Sequence, residues 1–489
     1  MNRPIDVKDL LFGDTWEYAD APQSADFVEH EDQYGHFIGG EFVEADEYFT
    51  SVNPSNEEVI AELGVGTAET VDEAVRAART AYEDHWSTMP ASERAKYIYR
   101  IGRMIKEKSR ELAVLESMDG GKPIRESRDI DIPLSAAWFF HYAGWADKLE
   151  YAFPGTEADS IGVCGQIIPW NFPLLMAAWK LAPALATGNT VVLKPAETTP
   201  MTAMKLAEII QEAGLPPGVV NFVNGAGETG DTIVNHDAID KIAFTGSTEV
   251  GKIIQRSLAG TDKRLTLELG GKGSNIIFDD AAIDQAVEGI IDGIYFNQGH
   301  VCCAGSRLLV QENIHDEIIT KLQNRMATLR IGDPLDKNTD IGAINSKQQL
   351  DKINELVDVG VEEGCTLYQP DIDVPDTGYY FRPTFFTDVT PSHRIAQEEI
   401  FGPVLSVMTF RTPDEAVRKA NNTPYGLACG VWTDKGSKLF RVAGDLDCGV
   451  VWGNTYNQFD PGAPFGGYKE SGFGREGGRQ GLLAYLEVN

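Results

Sequence analysis

Apolar and polar positions alternate along this chain in two rhythms, one of period two and one near 3.6, and the rhythms take turns. Residues 36–43 alternate around Gly39-Gly40 and predict a β-hairpin. Residues 59–65 predict another strand, after a turn at Asn53-Pro54-Ser55. Ala and Val recur at helical spacing over 70–86, with Thr70 as the expected cap and Glu73 at its third position. A longer helical stretch spans 90–117, breaks near Lys108-Ser109 and stops at Gly120-Gly121-Lys122-Pro123. Residues 130–149 carry Trp138, Phe139, Phe140, Tyr142 and Trp145 and predict a buried helix.

From residue 160 the alternation quickens. Strands are predicted over 162–168, 190–194, 219–223, 241–245 and 264–269, with helices over 174–185, 201–213, 229–235 and 250–258 between them. Strands and helices exchanged through short links mean a parallel sheet with helices on its faces. A second run of the same kind covers 275 to about 451, with strands at 276–278 and 306–311 and helices after Asp284 and His315. The fold class is therefore α/β, with two Rossmann-like parallel-sheet domains joined near Gly270-Gly271 and no internal repeat. The acidic, weakly patterned residues 1–35 are expected to run over the surface as an extension.

Composition narrows the function classes. A chain of 489 residues with 42% hydrophobic and 24% charged residues is long enough for two or three ordinary globular domains. No apolar run reaches membrane-spanning length, and Met1 to Asp9 has no apolar signal core, so a cytoplasmic protein without a membrane partner is expected. The formal charge of −32 argues against nucleic acid or an anionic membrane as partner. Cys164, Cys302, Cys303, Cys365, Cys429 and Cys448 are scattered; they form no disulfide framework and no zinc spacing, so reduced thiols and no metal are expected.

Three turns point to a nucleotide. Gly225-Ala226-Gly227-Glu228-Thr229-Gly230 follows a predicted strand and opens a predicted helix. One strand later, Thr245-Gly246-Ser247-Thr248 does the same, so backbone amides and a helix N-terminus are available to a pyrophosphate. Lys194-Pro195-Ala196-Glu197 ends another strand of that sheet, and ligands of open parallel sheets gather beyond the carboxyl ends of strands. Each turn alone has a structural explanation; together they favour a dinucleotide.

The stretch Asn297-Gln298-Gly299-His300-Val301-Cys302-Cys303-Ala304-Gly305 sets two thiols at a glycine-rimmed turn. They are either small core residues or an approachable nucleophile in an exposed, polar setting. Oxidising an aldehyde through a covalent adduct needs a thiolate, an oxyanion donor, a nicotinamide and a base that activates water. Cys302, the Asn171 amide and Glu268 supply the protein's share. Glu268 closes an apolar strand at Gly270-Gly271; partial burial there would raise its pKa toward a useful range, or it serves an edge salt bridge.

Seven segments in order resemble the aldehyde dehydrogenase superfamily, from His36 to Val488. They are Pro169-Trp170-Asn171-Phe172-Pro173, Lys194-Pro195-Ala196-Glu197, Phe244-Thr245-Gly246-Ser247-Thr248-Glu249, Leu267-Glu268-Leu269-Gly270-Gly271-Lys272, Gly299-His300-Val301-Cys302, Glu399-Ile400-Phe401-Gly402-Pro403 and Pro464-Phe465-Gly466-Gly467-Tyr468-Lys469-Glu470-Ser471-Gly472. The resemblance implies NAD-dependent oxidation of an aldehyde to a carboxylic acid, with NADP a weaker alternative. It implies that Cys302, not Cys303, is the nucleophile, that Asn171 and the Cys302 amide form the oxyanion hole, and that Glu268 is the deacylation base. Lys180 and Glu476 resemble the proton-relay pair behind that base. Lys194 and Glu197 are implied at the adenosine ribose, Ser247 at the pyrophosphate with Trp170 near it, and Glu399 and Phe401 at the nicotinamide ribose; Gly227 and Gly246 belong to the glycine turns. Phe172, Met176, Trp179, Val301, Cys303, Phe459 and Phe465 are implied at the substrate mouth, mostly apolar and suited to an aliphatic or aromatic aldehyde.

The resemblance also divides the chain. Residues 36–149 and 160–270 correspond to the NAD-binding domain, 271–470 to the catalytic domain, and 150–159 with 471–489 to a shortened oligomerisation arm. A dimer at most is expected. Residues 119–127 and 141–146 look more like family sixteen, in which a second dehydrogenase-like module follows. Two departures stand out. His300 replaces the usual Gln or Glu, and its imidazolium would lower the thiol pKa unless the ring is inert. Gly273-Ser274 replaces Ser-Pro and is expected to loosen a turn. A thioesterase using Cys302, a CoA-acylating dehydrogenase and a non-catalytic scaffold are the rival functions. The first leaves Lys194, Glu197 and the glycine turns without a purpose; the second has no need of a water-activating Glu268; the third fits poorly with a complete catalytic set.

Overall fold

The computed structural model describes residues 19–488, so the first 18 residues of the expected 1–35 extension lie outside the described residues. The described part of the extension first meets the second domain, where Gln23 donates to the Leu335 carbonyl and Lys337 to that of Ala21, and then the first, where Lys205 donates to the Glu29 carbonyl and Gln33–Tyr34 pairs with Val59–Gly64.

Two sheets organise the chain. The first has eight strands in the order Gly472–Phe473, Arg264–Glu268, Lys241–Thr245, Val163–Ile167, Thr190–Lys194, Val220–Phe222, His36–Ile38 and Glu41–Val43. Its central strands are parallel, from Glu268 to Phe222, and antiparallel strands close both edges. Val191, Leu193, Ile242 and Ala243 are fully buried because helices cover both faces. The second sheet has seven strands in the order Thr366–Tyr368, Thr384–Thr387, Val404–Phe410, Arg307–Gln311, Ser274–Ile277, Ala428–Trp432 and Val450–Gly453, parallel except for the first. The strand Tyr48–Val52 leaves the main sheets and pairs with Val59–Gly64 in a small sheet of its own.

The predicted elements stand, with local corrections. The first helix runs from Ala68 to Ala81, and its cap is Thr67 rather than Thr70. Thr70 is the third residue, and the two hydroxyls satisfy each other's backbone amides. The break at Lys108 is real: helices Ala91–Glu107 and Ser109–Gly120 meet there. Gly273 does not loosen its turn. A Cβ there would lie 2.7 Å from the Ala304 carbonyl oxygen and 3.0 Å from that of Ala428, so the turn is packed tight.

The expected arm is smaller than its boundaries. Only Ala158–Ser160 and Leu486–Val488 form a two-stranded ribbon. The strand Gly472–Phe473 instead pairs with Leu267 and Glu268 in the first sheet, and the helix Gly478–Leu483 follows it. No helix among the described residues is long and apolar enough to cross a membrane.

Candidate active site

The carboxyl ends of strands Arg264–Glu268 and Lys241–Thr245 open into a cavity of about 320 Å³ between the two sheets. Glu268 is the last residue of its strand. The Gly270-Gly271 turn then carries the chain across to the second sheet, and the Gly271 amide donates to Glu399 Oε1 at 2.8 Å. From the other side, the helix Ile283–Ile294 ends in a tight turn in which Asn297 and Gln298 take left-handed conformations. That turn delivers Val301, Cys302 and Cys303 to the cavity wall.

The turn is held by buried polar contacts. The Asn297 amide donates to Glu126 Oε2 at 2.8 Å, its side chain donates to the Asn171 carbonyl at 2.9 Å, and the Asn171 side-chain amide donates to the His300 carbonyl at 2.9 Å. Asn171 and the nucleophile turn are thereby fixed to each other, although they are far apart in sequence. Gln298 donates to the carbonyls of Gly121 and Ala343, anchoring the turn to both domains.

The electrostatics of the cavity follow from burial. Glu268 is buried, and neither of its carboxylate oxygens has a hydrogen-bond partner. Burial raises its pKa well above the usual carboxylate range; the Glu476 carboxylate adds to the rise and Lys180 opposes it. Lys180 is paired with Glu476 Oε1 behind it, and Glu476 is fixed by reciprocal backbone hydrogen bonds to Phe465. The Cys302 thiol is held well above its usual range, first by the hydrogen bond it shares with Cys303 and then by burial. The exposed, polar setting expected for this thiol is therefore not what the fold provides. Cys302 is partly buried in a mostly apolar wall, while Cys303 lies in the core with its sulfur 3.6 Å from Asn457 Oδ1.

Of the two readings of His300, the inert ring is the one the fold favours. Its ring is buried against Trp170 and Phe401, and burial lowers its pKa to about 3. A neutral ring supplies no charge to the thiol. Glu399 is partly buried, and burial raises its carboxyl despite the hydrogen bond from Gly271.

The expected site residues converge with few exceptions. Asn171, Cys302, Glu268 and Glu476 line the cavity, and Lys180 lies behind Glu476. Phe172, Met176, Trp179, Val301, Cys303, Phe459 and Phe465 all line it too. Trp179 is stacked on Trp138, with ring centroids 4.5 Å apart, and meets Phe459 and Phe465 edge-on, so this wall is rigid and aromatic. Trp170, Gly246, Ser247, Glu399 and Phe401 line the same cavity from its other end. Ser247 caps the helix Thr248–Ser257, its hydroxyl accepting from the Val250 amide.

Lys194, Glu197 and Gly227 stand outside the cavity lining. Lys194 ends the strand Thr190–Lys194 and pairs with the half-exposed Glu197 at 3.4 Å. Gly227 begins the neighbouring helix Gly227–Asn235 with open space around it. These lie at the carboxyl edge of the first sheet, in line with Ser247 two strands on. An elongated anionic ligand fits that edge: an unblocked glycine, a buried lysine and a capped helix N-terminus lead into the cavity that holds Cys302.

Sequence reasoning missed Phe296, Asp292, Gln349, Lys352, Tyr456 and Asn457, which also line the cavity. Phe296 adjoins the cysteine turn and was open to inference. Gln349 was not: it reaches the site by donating to the Ile400 and Phe401 carbonyls from a helix with no motif of its own.

Residues 42–489 match the model of the aldehyde dehydrogenase family. The chain is 47% identical to the mitochondrial aldehyde dehydrogenase of Homo sapiens over 452 residues, covering 90% of this chain and 87% of that one. It is 45% identical to retinal dehydrogenase 2 of Homo sapiens over 467 residues, covering 92% and 90%. Among solved structures it is similar to the NAD+ complex of aldehyde dehydrogenase from Bacillus cereus, with a TM-score of 0.91, 43% identity and 94% and 96% of the two chains covered. On its fold, its cavity and these matches together, the chain belongs to the aldehyde dehydrogenase family and is an NAD-dependent oxidoreductase that converts aldehydes to carboxylic acids.

Proposed function

We propose that Cys302 is the nucleophile, Asn171 its oxyanion donor and Glu268 the base of this reaction. The observation that carries the reading is the convergence of these three side chains on one cavity, continuous with Ser247 and Glu399. The Cys302 thiol gives its proton to water, its sulfur adds to the aldehyde carbon, and the carbonyl π bond opens to a thiohemiacetal oxyanion. The Asn171 side-chain amide, held by its contacts with Asn297 and His300, donates to the developing oxyanion with no reorganisation of its own. Bound NAD, held by the residues of the first sheet's carboxyl edge, would supply the hydride acceptor, and Cys302 would then carry the acyl group as a thioester.

Glu268 then takes a proton from water as the water attacks the thioester. Its pKa is raised by burial, and a carboxylate of raised pKa is the stronger base once ionised. The Lys180–Glu476 pair sits behind Glu268 as a route for the proton to leave. On the cofactor side, Lys194 and Glu197 take the adenosine ribose, Ser247 the pyrophosphate with Trp170 near it, and Glu399 and Phe401 the nicotinamide ribose; Gly227 and Gly246 let the backbone come close. The aromatic wall of Phe172, Trp179, Phe459 and Phe465 excludes water and favours an apolar aldehyde.

An aldehyde panel read by the appearance of reduced nicotinamide tests the reading. Aromatic and medium-length aliphatic aldehydes should be turned over, and Cys302→Ala should remove the signal for all of them. A Cys302→Ala enzyme that still forms the reduced cofactor would end the proposal.

A further inference from the structure

A charged side chain lies in the core directly behind the aromatic wall of the cavity. Lys122 leaves the helix Ser109–Gly120 through Gly121, which takes a left-handed conformation; a Cβ there would lie 2.5 Å from the Ala343 carbonyl oxygen. The turn sends Lys122 inward, and only 1% of it is exposed. Its ammonium meets three groups. It pairs with Asp131 Oδ2, lies 3.7 Å from Glu116 Oε1 and sits over the Phe172 ring, 4.2 Å from the centroid. Asp131 ends a single π-helical turn, Ser127–Asp131, a widening that is frequent at functional sites.

Each of the three contacts leads to the cavity. Asp131 and Phe172 line it. Glu116 Oε2 accepts from the Leu174 amide at 3.4 Å and from the Thr202 hydroxyl at 2.9 Å. Leu174 stands in the first turn of the helix Pro173–Ala186, which brings Met176 and Trp179 to the cavity and has no side-chain cap of its own. Glu116 thus satisfies, from another helix, an amide that the helix itself leaves open. Phe172 immediately precedes that helix, and its ring is stacked on Phe296 with centroids 6.2 Å apart and 20° between the planes. Asn171 is held separately, by Asn297 and His300.

We propose that Lys122 is a positioning residue of the substrate mouth: its buried ammonium holds the Phe172 ring from behind and so favours aldehydes that carry an aromatic ring over small aliphatic ones. This rests on reading that end of the cavity as the substrate mouth. An apolar side chain of similar length would fill the same space without the desolvation that a buried ammonium costs. What the cation adds is a directional attraction to the ring face, strengthened where water is excluded. An aromatic substrate depends on the angle at which Phe172 is presented, because aromatic pairs prefer offset-stacked or edge-on arrangements. Acetaldehyde has only a methyl group to place.

The test compares kcat and KM for benzaldehyde and acetaldehyde at saturating NAD, with the full chain. Lys122→Met should lower the ratio of kcat/KM for benzaldehyde to that for acetaldehyde about tenfold, through a higher benzaldehyde KM. In a Phe172→Leu background, Lys122→Met should leave the ratio where Phe172→Leu alone puts it, because the ring it acts on is gone. Removing the ammonium leaves two buried carboxyls, and burial already raises both, so they can take up protons. Lys122→Met combined with Asp131→Asn removes one of them and is measured alongside, should the single variant fail to fold. An equal loss of kcat for both aldehydes, or a ratio within roughly twofold of the parent's in a folded variant, overturns the proposal. So does a further drop of the same size in the Phe172→Leu background, or a parent that oxidises acetaldehyde but not benzaldehyde. None of these outcomes touches the roles of Cys302 and Glu268, which fail instead if Cys302→Ala still forms the reduced cofactor.

Discussion

A methyl group at Gly271 would sit 2.3 Å from the carbonyl oxygen of Cys302, so the turn after Glu268 and the nucleophile turn touch through bare backbone. Gly271→Ala should push the two apart while leaving both sheets folded. A displacement of about 1 Å at a reacting centre costs on the order of 100-fold in rate. The expected result is a loss of kcat of that order with an unchanged circular dichroism spectrum. Full activity would mean that the contact does not set the geometry.

Cys302→Ala should be inactive, and Cys303→Ala should keep most of its turnover. Cys303 lies in the core, so its replacement is expected to cost about 1 kcal/mol of stability instead. Thermal melting and steady-state rates on both variants separate the two roles; an inactive Cys303→Ala beside an active Cys302→Ala would reverse the assignment.

Glu268→Gln should acylate and stall. A single burst of reduced nicotinamide is expected, with steady-state turnover lower by about 10²- to 10⁴-fold, the range of a lost general base. Because burial raises the Glu268 pKa, the parent's kcat should climb with pH through an ionisation above the usual carboxylate range. That limb should vanish in the variant; its survival would assign the ionisation elsewhere.

NAD should be preferred over NADP. Glu197 stands half-exposed at the carboxyl edge of the first sheet, and its charge would repel a ribose 2′-phosphate, although the Lys194 pair offsets part of it. For a half-exposed carboxylate the repulsion lies at the lower, solvent-screened end, roughly 1 kcal/mol, which is about fivefold in kcat/KM. Glu197→Gln should narrow the preference, and a parent enzyme faster with NADP would refute it.

Glu126 ties stability to pH. Burial raises its carboxyl from the ordinary 4.5 to about 8, with Arg125 and the Asn297 amide opposing. Between those values the folded protein keeps a proton that the unfolded chain loses, so the stabilisation is full below the ordinary value and lost as pH rises toward about 8. Glu126→Gln cannot ionise and can still accept from Asn297. Its melting temperature should therefore fall less than the parent's from pH about 5 to about 8. Equal slopes in calorimetry would count against a protonated Glu126.

Element positions were legible wherever the signal is local. The strands Thr190–Lys194 and Lys241–Thr245 match their apolar runs residue for residue, because a short run bounded by turn residues has one reading in an alternating α/β chain. The helix cap was ambiguous for an equally local reason: Thr67 and Thr70 satisfy each other, and two threonines three apart look alike from sequence. Cys302 and Glu268 were legible as candidates, since one lies in a glycine-rimmed turn and the other ends a strand before Gly270-Gly271, and Asn171 stood out in the link before the helix Pro173–Ala186.

The residues' states, and much of what surrounds them, were decided by tertiary structure. Glu126 reaches Asn297 across 171 positions, and Lys180 reaches Glu476 across 296. His300 is neutral because Trp170 and Phe401, from two other segments, close over it. Cys302 is a thiol of raised pKa, first through its hydrogen bond with Cys303 and then because the domains bury it. Sequence by itself determined the periodicities, the turns and the order of the chemical groups, all of which depend on neighbours a few residues away. Burial is a sum over atoms brought from the whole chain, so the charge on each group, and what it can do, came only with the packed fold.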